Sequence, residues 1–96
     1  MTLLEQTYRG LRDAGLVSST AGFSRQYLGR NRNWYAWQKH AGRDMCAAAA
    51  IHCLRTIRSQ LKAPKLDSTQ RSALETTAAV LLGHLQERHA VADVCA

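Results

Sequence analysis

The chain carries a single proline, Pro64, in 96 residues, and that scarcity of breaks limits its possible folds more than any motif does. Proline removes a backbone donor and fixes φ, so each one marks a place where a helix cannot continue. Six glycines are the other strong punctuators. Between them run stretches of Ala, Leu, Arg, Gln and Glu, all good helix formers. The expectation is an all-α fold, a compact bundle of about five helices. With 46% apolar and 21% charged residues, the chain has the balance of a folding domain and not of a disordered tail. Its length suits one small core, so residues 1–96 are expected to form a single domain.

Helix boundaries are readable from caps. Thr2-Leu3-Leu4-Glu5 has the form of a capping box, and Leu4, Tyr8 and Leu11 follow at helical spacing with Leu3 beside them. A first helix over about Leu3–Ala14 ends at Gly15. Leu16 and Val17 precede Ser18-Ser19-Thr20, a cluster of potential N-caps, and a second helix is expected to reach about Leu28 before Gly29, burying Ala21, Phe23, Tyr27 and Leu28. Either Asn31 or Asn33 is placed to cap a third helix from Trp34 to about Ala41, closed by Gly42. Asp44 reads as the cap of a fourth, Met45 to Leu61, with Ala47, Ala50, Ile51, Leu54, Ile57 and Leu61 along one face. The segment around Pro64 is a linker. Asp67 or Ser68 then starts a fifth helix to about Arg88, with Leu74, Ala78, Leu81, Leu82 and Leu85 on a stripe, and Ala90–Ala96 is expected to fray.

Charge is unevenly distributed. Residues 1–43 hold seven Lys or Arg against two acids, a net +5, whereas residues 44–96 hold six against five, a net +1. Within Ser18–Arg43 stand Arg25, Arg30, Arg32, Lys39 and Arg43 with no acidic residue at all. A surface of that kind attracts phosphate, RNA, acidic proteins or anionic lipid. No apolar run is long enough to span a bilayer, and Met1–Leu4 meets Glu5 where a secretory segment needs a basic flank and an apolar core. These features point to a cytoplasmic protein without membrane attachment, in which Cys46, Cys53 and Cys95 are reduced thiols.

The basic stretch coincides with a helix, a glycine turn and a second helix over Thr20–Gly42, followed by a C-terminal helical pair over about 44–88. In a DNA-binding helix-turn-helix the first helix braces the backbone and the start of the second enters the major groove. The residues at that entry point are Arg30, Asn31, Arg32 and Asn33. Arg bonds guanine bidentately and Asn bonds adenine, which makes the four candidate readers of base edges. Arg25, Lys39 and Arg43 are candidate phosphate anchors.

Phe23-Ser24-Arg25, Leu28-Gly29-Arg30, Tyr35 and Gly42-Arg43 give the segment its resemblance to helix-turn-helix proteins of the lambda-repressor and Cro type. It resembles more closely a group of small uncharacterised bacterial proteins with an FSR-x-x-LGR…GR pattern. The resemblance covers roughly the first half of the chain and implies a sequence-specific regulator of transcription that binds double-stranded DNA, commonly as a homodimer. Three positions depart from the repressor pattern. Arg25 stands where a small residue lets the two helices cross, Arg30 where an aliphatic residue begins the turn, and Gln38 at a usually apolar site.

Trp34, Tyr35 and Trp37 are candidates for stacking on bases or for a protein interface, although Trp34, Trp37 and Ala41 also share a helical face suited to packing. The same basic aromatic face would serve a small adaptor or inhibitor, of phage or mobile-element type, directed at an acidic protein. Cys46 and Cys53 share a helix face but lack the short spacing of zinc ligands, so core packing is expected of both. His84 and His89 are off a common face and expected to be exposed. No catalytic constellation, metal site or cofactor-binding loop is readable. The leucine stripe of the fifth helix either closes the core or forms a dimer seam.

Overall fold

The computed structural model describes residues 2–88. Five helices run in chain order: α1 Leu3–Asp13, α2 Thr20–Gln26, α3 Trp34–His40, α4 Ala47–Leu61 and α5 Ser68–Arg88. No strand occurs among the described residues, so the fold is the expected all-α bundle of five helices. The expected fraying of Ala90–Ala96, together with His89 and Cys95, lies outside the described residues.

The core is one continuous apolar cluster. Leu4 and Leu11 of α1, Phe23 of α2, Ala50, Cys53, Leu54 and Ile57 of α4, and Leu74, Leu81 and Leu85 of α5 are all essentially sealed from solvent. The main helix contacts are α4 with α5, α2 with α3, and α1 with α5. Leu74, Leu81 and Leu85 are each 0% exposed and close the core, whereas Ala78 and Leu82 of the same stripe are only partly buried against it.

The N-terminus of α1 follows the sequence expectation and then exceeds it. Thr2 Oγ1 accepts from the Glu5 N–H at 3.2 Å and donates to Glu5 Oε1 at 3.4 Å. Asp44, expected to cap α4, instead turns to α1, accepting from the N–H groups of Leu3 at 3.2 Å and Leu4 at 2.9 Å. It also accepts from the Met45 N–H at 2.7 Å. The first N–H groups of a helix have no partner within it, and α1 fills two of them from the far side of the chain. Helix α4 consequently begins two residues later than expected, at Ala47, with Cys46 as its N-cap and no side-chain cap hydrogen bond. That late start leaves Cys46 exposed while Cys53 is buried, so only one of the two cysteines packs in the core. Burial pushes the Cys53 thiol up to about 12, which makes it inert.

At the other end of α4, Arg71 reaches from α5 to donate to the carbonyls of Leu61 at 3.0 Å and Ala63 at 3.4 Å. A cation at a helix C-terminus is favourably placed. Asp67 directly precedes α5, and its Oδ1 accepts from the Gln70 N–H at 2.7 Å. His84, expected at the surface, is half-buried.

Candidate nucleic-acid interface

Helices α2 and α3, each of seven residues, pack on one another through a small polar contact. Ser24 is fully buried, and its hydroxyl accepts from the Tyr35 N–H at 3.2 Å. One of the unpaired N–H groups at the start of α3 is thereby satisfied from α2. Ser24, not Arg25, is thus the small residue buried between the two helices, and Arg25 stands exposed beside it. In the sequence, Ser24 stands out only as part of the Phe23-Ser24-Arg25 pattern, with no role of its own. The signal that would have found it is a small hydroxyl residue directly after a core Phe.

The connection between α2 and α3 occupies residues 27–33, longer than the turn of about three or four residues usual in a helix-turn-helix. Helix α2 stops at Gln26, two residues before its expected end. The N–H groups of Tyr27 and Leu28 both converge on the Phe23 carbonyl, at 3.0 and 3.3 Å. Gly29 then takes φ +63°, and a Cβ there would sit 2.7 Å from His52 Nε2. His52 Nδ1 lies 3.1 Å from the Tyr27 carbonyl oxygen, so its ring lies against the turn from α4. Tyr27 is buried, and its hydroxyl donates to Gln60 Oε1 at 2.8 Å. Desolvation raises its pKa, with the Gln60 hydrogen bond acting in the opposite direction.

The four residues expected to read bases are all exposed, but they are not equivalent. Asn31 Oδ1 accepts from the Asn33 N–H at 2.9 Å, and its carbonyl accepts from the Trp34 N–H at 2.9 Å. Its carboxamide oxygen is therefore engaged in shaping the turn, an Asx-type arrangement. Asn33 is the N-cap of α3 without a side-chain cap hydrogen bond, which leaves its amide uncommitted. Arg30 lies over the Trp34 ring, its guanidinium carbon 5.8 Å from the centroid, with Nη2 3.8 Å from Cys46 Sγ. Arg32 lines an open groove together with Arg25.

The candidate phosphate anchors Arg25, Lys39 and Arg43 are exposed. Arg43 directly follows Gly42, whose φ of +70° ends α3. The N–H of Gly42 goes to the Lys39 carbonyl at 3.1 Å and that of Arg43 to the Gln38 carbonyl at 2.9 Å, the paired closure of a Schellman motif. Gln38 is half-buried, and its Nε2 donates to the Asp44 carbonyl at 3.2 Å. A polar residue at that usually apolar site ties α3 to the loop that caps α1.

The aromatics separate into three environments. Tyr35 is 6% exposed, and its ring meets Tyr8 at 5.2 Å and Phe23 at 6.0 Å between centroids. It is a core residue, closed to the base stacking or interface role expected of it. The Ser24 hydrogen bond and this ring cluster turn position 35 inward, where the Trp34–Trp37–Ala41 face was expected to point. Burial raises the Tyr35 pKa, with the charge of Glu5 the next contribution in the same direction. Trp34 is partly buried against the core. Trp37 is 58% exposed, the large apolar side chain most open to solvent on the described surface.

None of Arg25, Arg30, Arg32, Lys39 and Arg43 forms a salt bridge with a described residue. Among the described residues, no group of three or more His, Cys, Asp or Glu side chains is placed to hold a metal ion. No described helix is long and apolar enough to cross a membrane. Fold and site together define a small all-helical protein whose cations on α2, on the connection and at the end of α3 are exposed and unpaired with any described acidic residue. Residues 4–94 match a family of unknown function (DUF6626), and the chain belongs to that family. No curated protein and no solved structure matches it.

Proposed function

We propose that this protein is a small, non-enzymatic DNA-binding regulator of transcription that acts in the cytoplasm. The observation that carries this reading is the set of five cations, Arg25, Arg30, Arg32, Lys39 and Arg43, all exposed and none paired with an acidic side chain among the described residues. Ion pairing within the protein would have neutralised such a face. Left open, it attracts a polyanion.

Phosphate anchoring by Arg25, Lys39 and Arg43 would set the protein's register on a duplex. Base reading would fall to Arg30, Arg32 and Asn33, with Asn31 contributing through its amide nitrogen only, since its oxygen is turned to the Asn33 N–H. A homodimer would present two such faces to two half-sites. The test is a mobility-shift titration with mixed-sequence duplexes at low salt. Retarded complexes that weaken steeply as salt rises support the proposal, and the absence of any complex at low salt overturns it.

The exposure of Trp37 favours a second reading, a module that docks on an acidic protein, because Trp and Arg dominate interface hot spots. Under the regulator reading, Arg30→Ala and Arg32→Ala combined abolish DNA binding while helicity is unchanged. Under the docking reading no DNA binds, and the same substitutions release a captured protein.

A further inference from the structure

We propose that Arg25 and Arg32 form a clamp for a single phosphate group, in the groove between α2 and the turn. This inference rests on the nucleic-acid reading for the identity of the polymer, but not for the chemistry of the groove. The groove encloses about 500 Å³ and is lined by Ser19, Ala21, Gly22, Arg25, Gln26 and Arg32. Its two cations come from different elements, Arg25 from the last turn of α2 and Arg32 from the connection to α3.

The remaining lining suits an anion equally well. No carboxylate borders the groove. The Ser19 hydroxyl oxygen already accepts from the Gly22 N–H at 3.1 Å, so its proton remains to be donated outward, and Gln26 supplies amide donors. Gly22 keeps one wall down to backbone, since a Cβ there would come within 3.3 Å of Ser19 Oγ. Arginine's planar fork matches phosphate oxygens in pairs, and two arginines from different elements line this groove. Arg32, assigned above as a reader of bases, acts in this arrangement as a positioning residue that grips the backbone. Base reading then concentrates on Arg30 and Asn33.

Two measurements test the clamp together. In amide and guanidinium nuclear magnetic resonance spectra, inorganic phosphate is expected to shift Gly22, Gln26 and Arg32, and either Arg25→Ala or Arg32→Ala is expected to remove the response. In salt titrations on two unrelated duplexes, each single variant should lower the salt slope by about one and weaken both duplexes alike. The double variant should lose no more slope than either single one, because both side chains hold the same phosphate. Both arginines are exposed, so circular dichroism should show unchanged helicity.

Phosphate that leaves the groove signals unmoved overturns the clamp. A double variant that loses about two slope units overturns it as well, since two phosphates are then held separately. So does an Arg32→Ala variant that weakens one duplex and spares the other. If inorganic phosphate moves the groove and the variants abolish that response, while the wild type binds no duplex at all, the clamp stands and the nucleic-acid reading falls. The groove then takes a phosphorylated ligand of another kind.

Discussion

The carboxylate of Asp44 accepts from the Leu4 N–H at 2.9 Å, 40 residues away in the chain. The contact binds the segment after α3 to the start of α1, and through Gln38 and the Asp44 carbonyl it also holds α3. The cationic face is therefore fastened to the core at a point outside itself. Removing the cap by Asp44→Ala should destabilise the protein by about 1 kcal/mol, the usual size of a lost helix cap, read as a lower denaturation midpoint with the slope unchanged.

Asp44 also sets an acid limit. Burial alone would raise its carboxyl, but the N–H groups of Leu4, Met45 and Leu3 and the charge of nearby His84 outweigh that and hold it below the ordinary 3.8. A group whose pKa is depressed by folding contributes stability above its unfolded value and loses it as pH falls through the folded value. The stability difference between wild type and Asp44→Asn should therefore be largest near neutral pH and shrink below pH 3.8. A difference that stays constant across that window would contradict the assignment.

Gly29 and His52 give a second stability test. The left-handed φ of +63° and a Cβ only 2.7 to 2.9 Å from the imidazole ring act together against Gly29→Ala, at a combined cost of about 2 kcal/mol. His52→Ala removes the ring and should recover part of that loss, though not the backbone strain. Thermal melts of the two single variants and the double variant measure the coupling. Additive losses would show that the ring does not constrain the turn.

Ser24→Ala leaves the Tyr35 N–H buried without its acceptor, which costs about 1 to 3 kcal/mol. The same change should loosen α3 relative to α2 before the whole protein unfolds. Hydrogen exchange at Tyr35 and its neighbours is expected to accelerate more than exchange in α4.

Much of the fold was legible because its signals are local. The spacing of Leu4, Tyr8 and Leu11, the capping pair Thr2 and Glu5, and the break at Pro64 each act within a few residues of the helix they define. Asp44 could not be read in the same way: a carboxylate before an apolar run looks like the cap of the helix that follows, and only tertiary proximity reveals that it serves α1. Tyr35 was misplaced for a related reason. In a helix of seven residues, periodicity barely distinguishes one face from the next, and the deciding contacts, with Tyr8, Phe23 and Ser24, come from two other helices. The exposed cations were easier to place, since Ser18–Arg43 contains no acid to bury or pair with them.

The most direct measurement of the central claim is the affinity for a mixed-sequence duplex as a function of salt, followed by fluorescence anisotropy. Anchoring by Arg25 with Arg32, by Lys39 and by Arg43 corresponds to three phosphates per chain, so log K should fall against log salt with a slope of about −2.7 per bound chain. Arg43→Ala should lower that slope by about one. A flat salt dependence, or a slope that Arg43→Ala and Lys39→Ala together leave unchanged, would contradict the assignment of this face to nucleic acid.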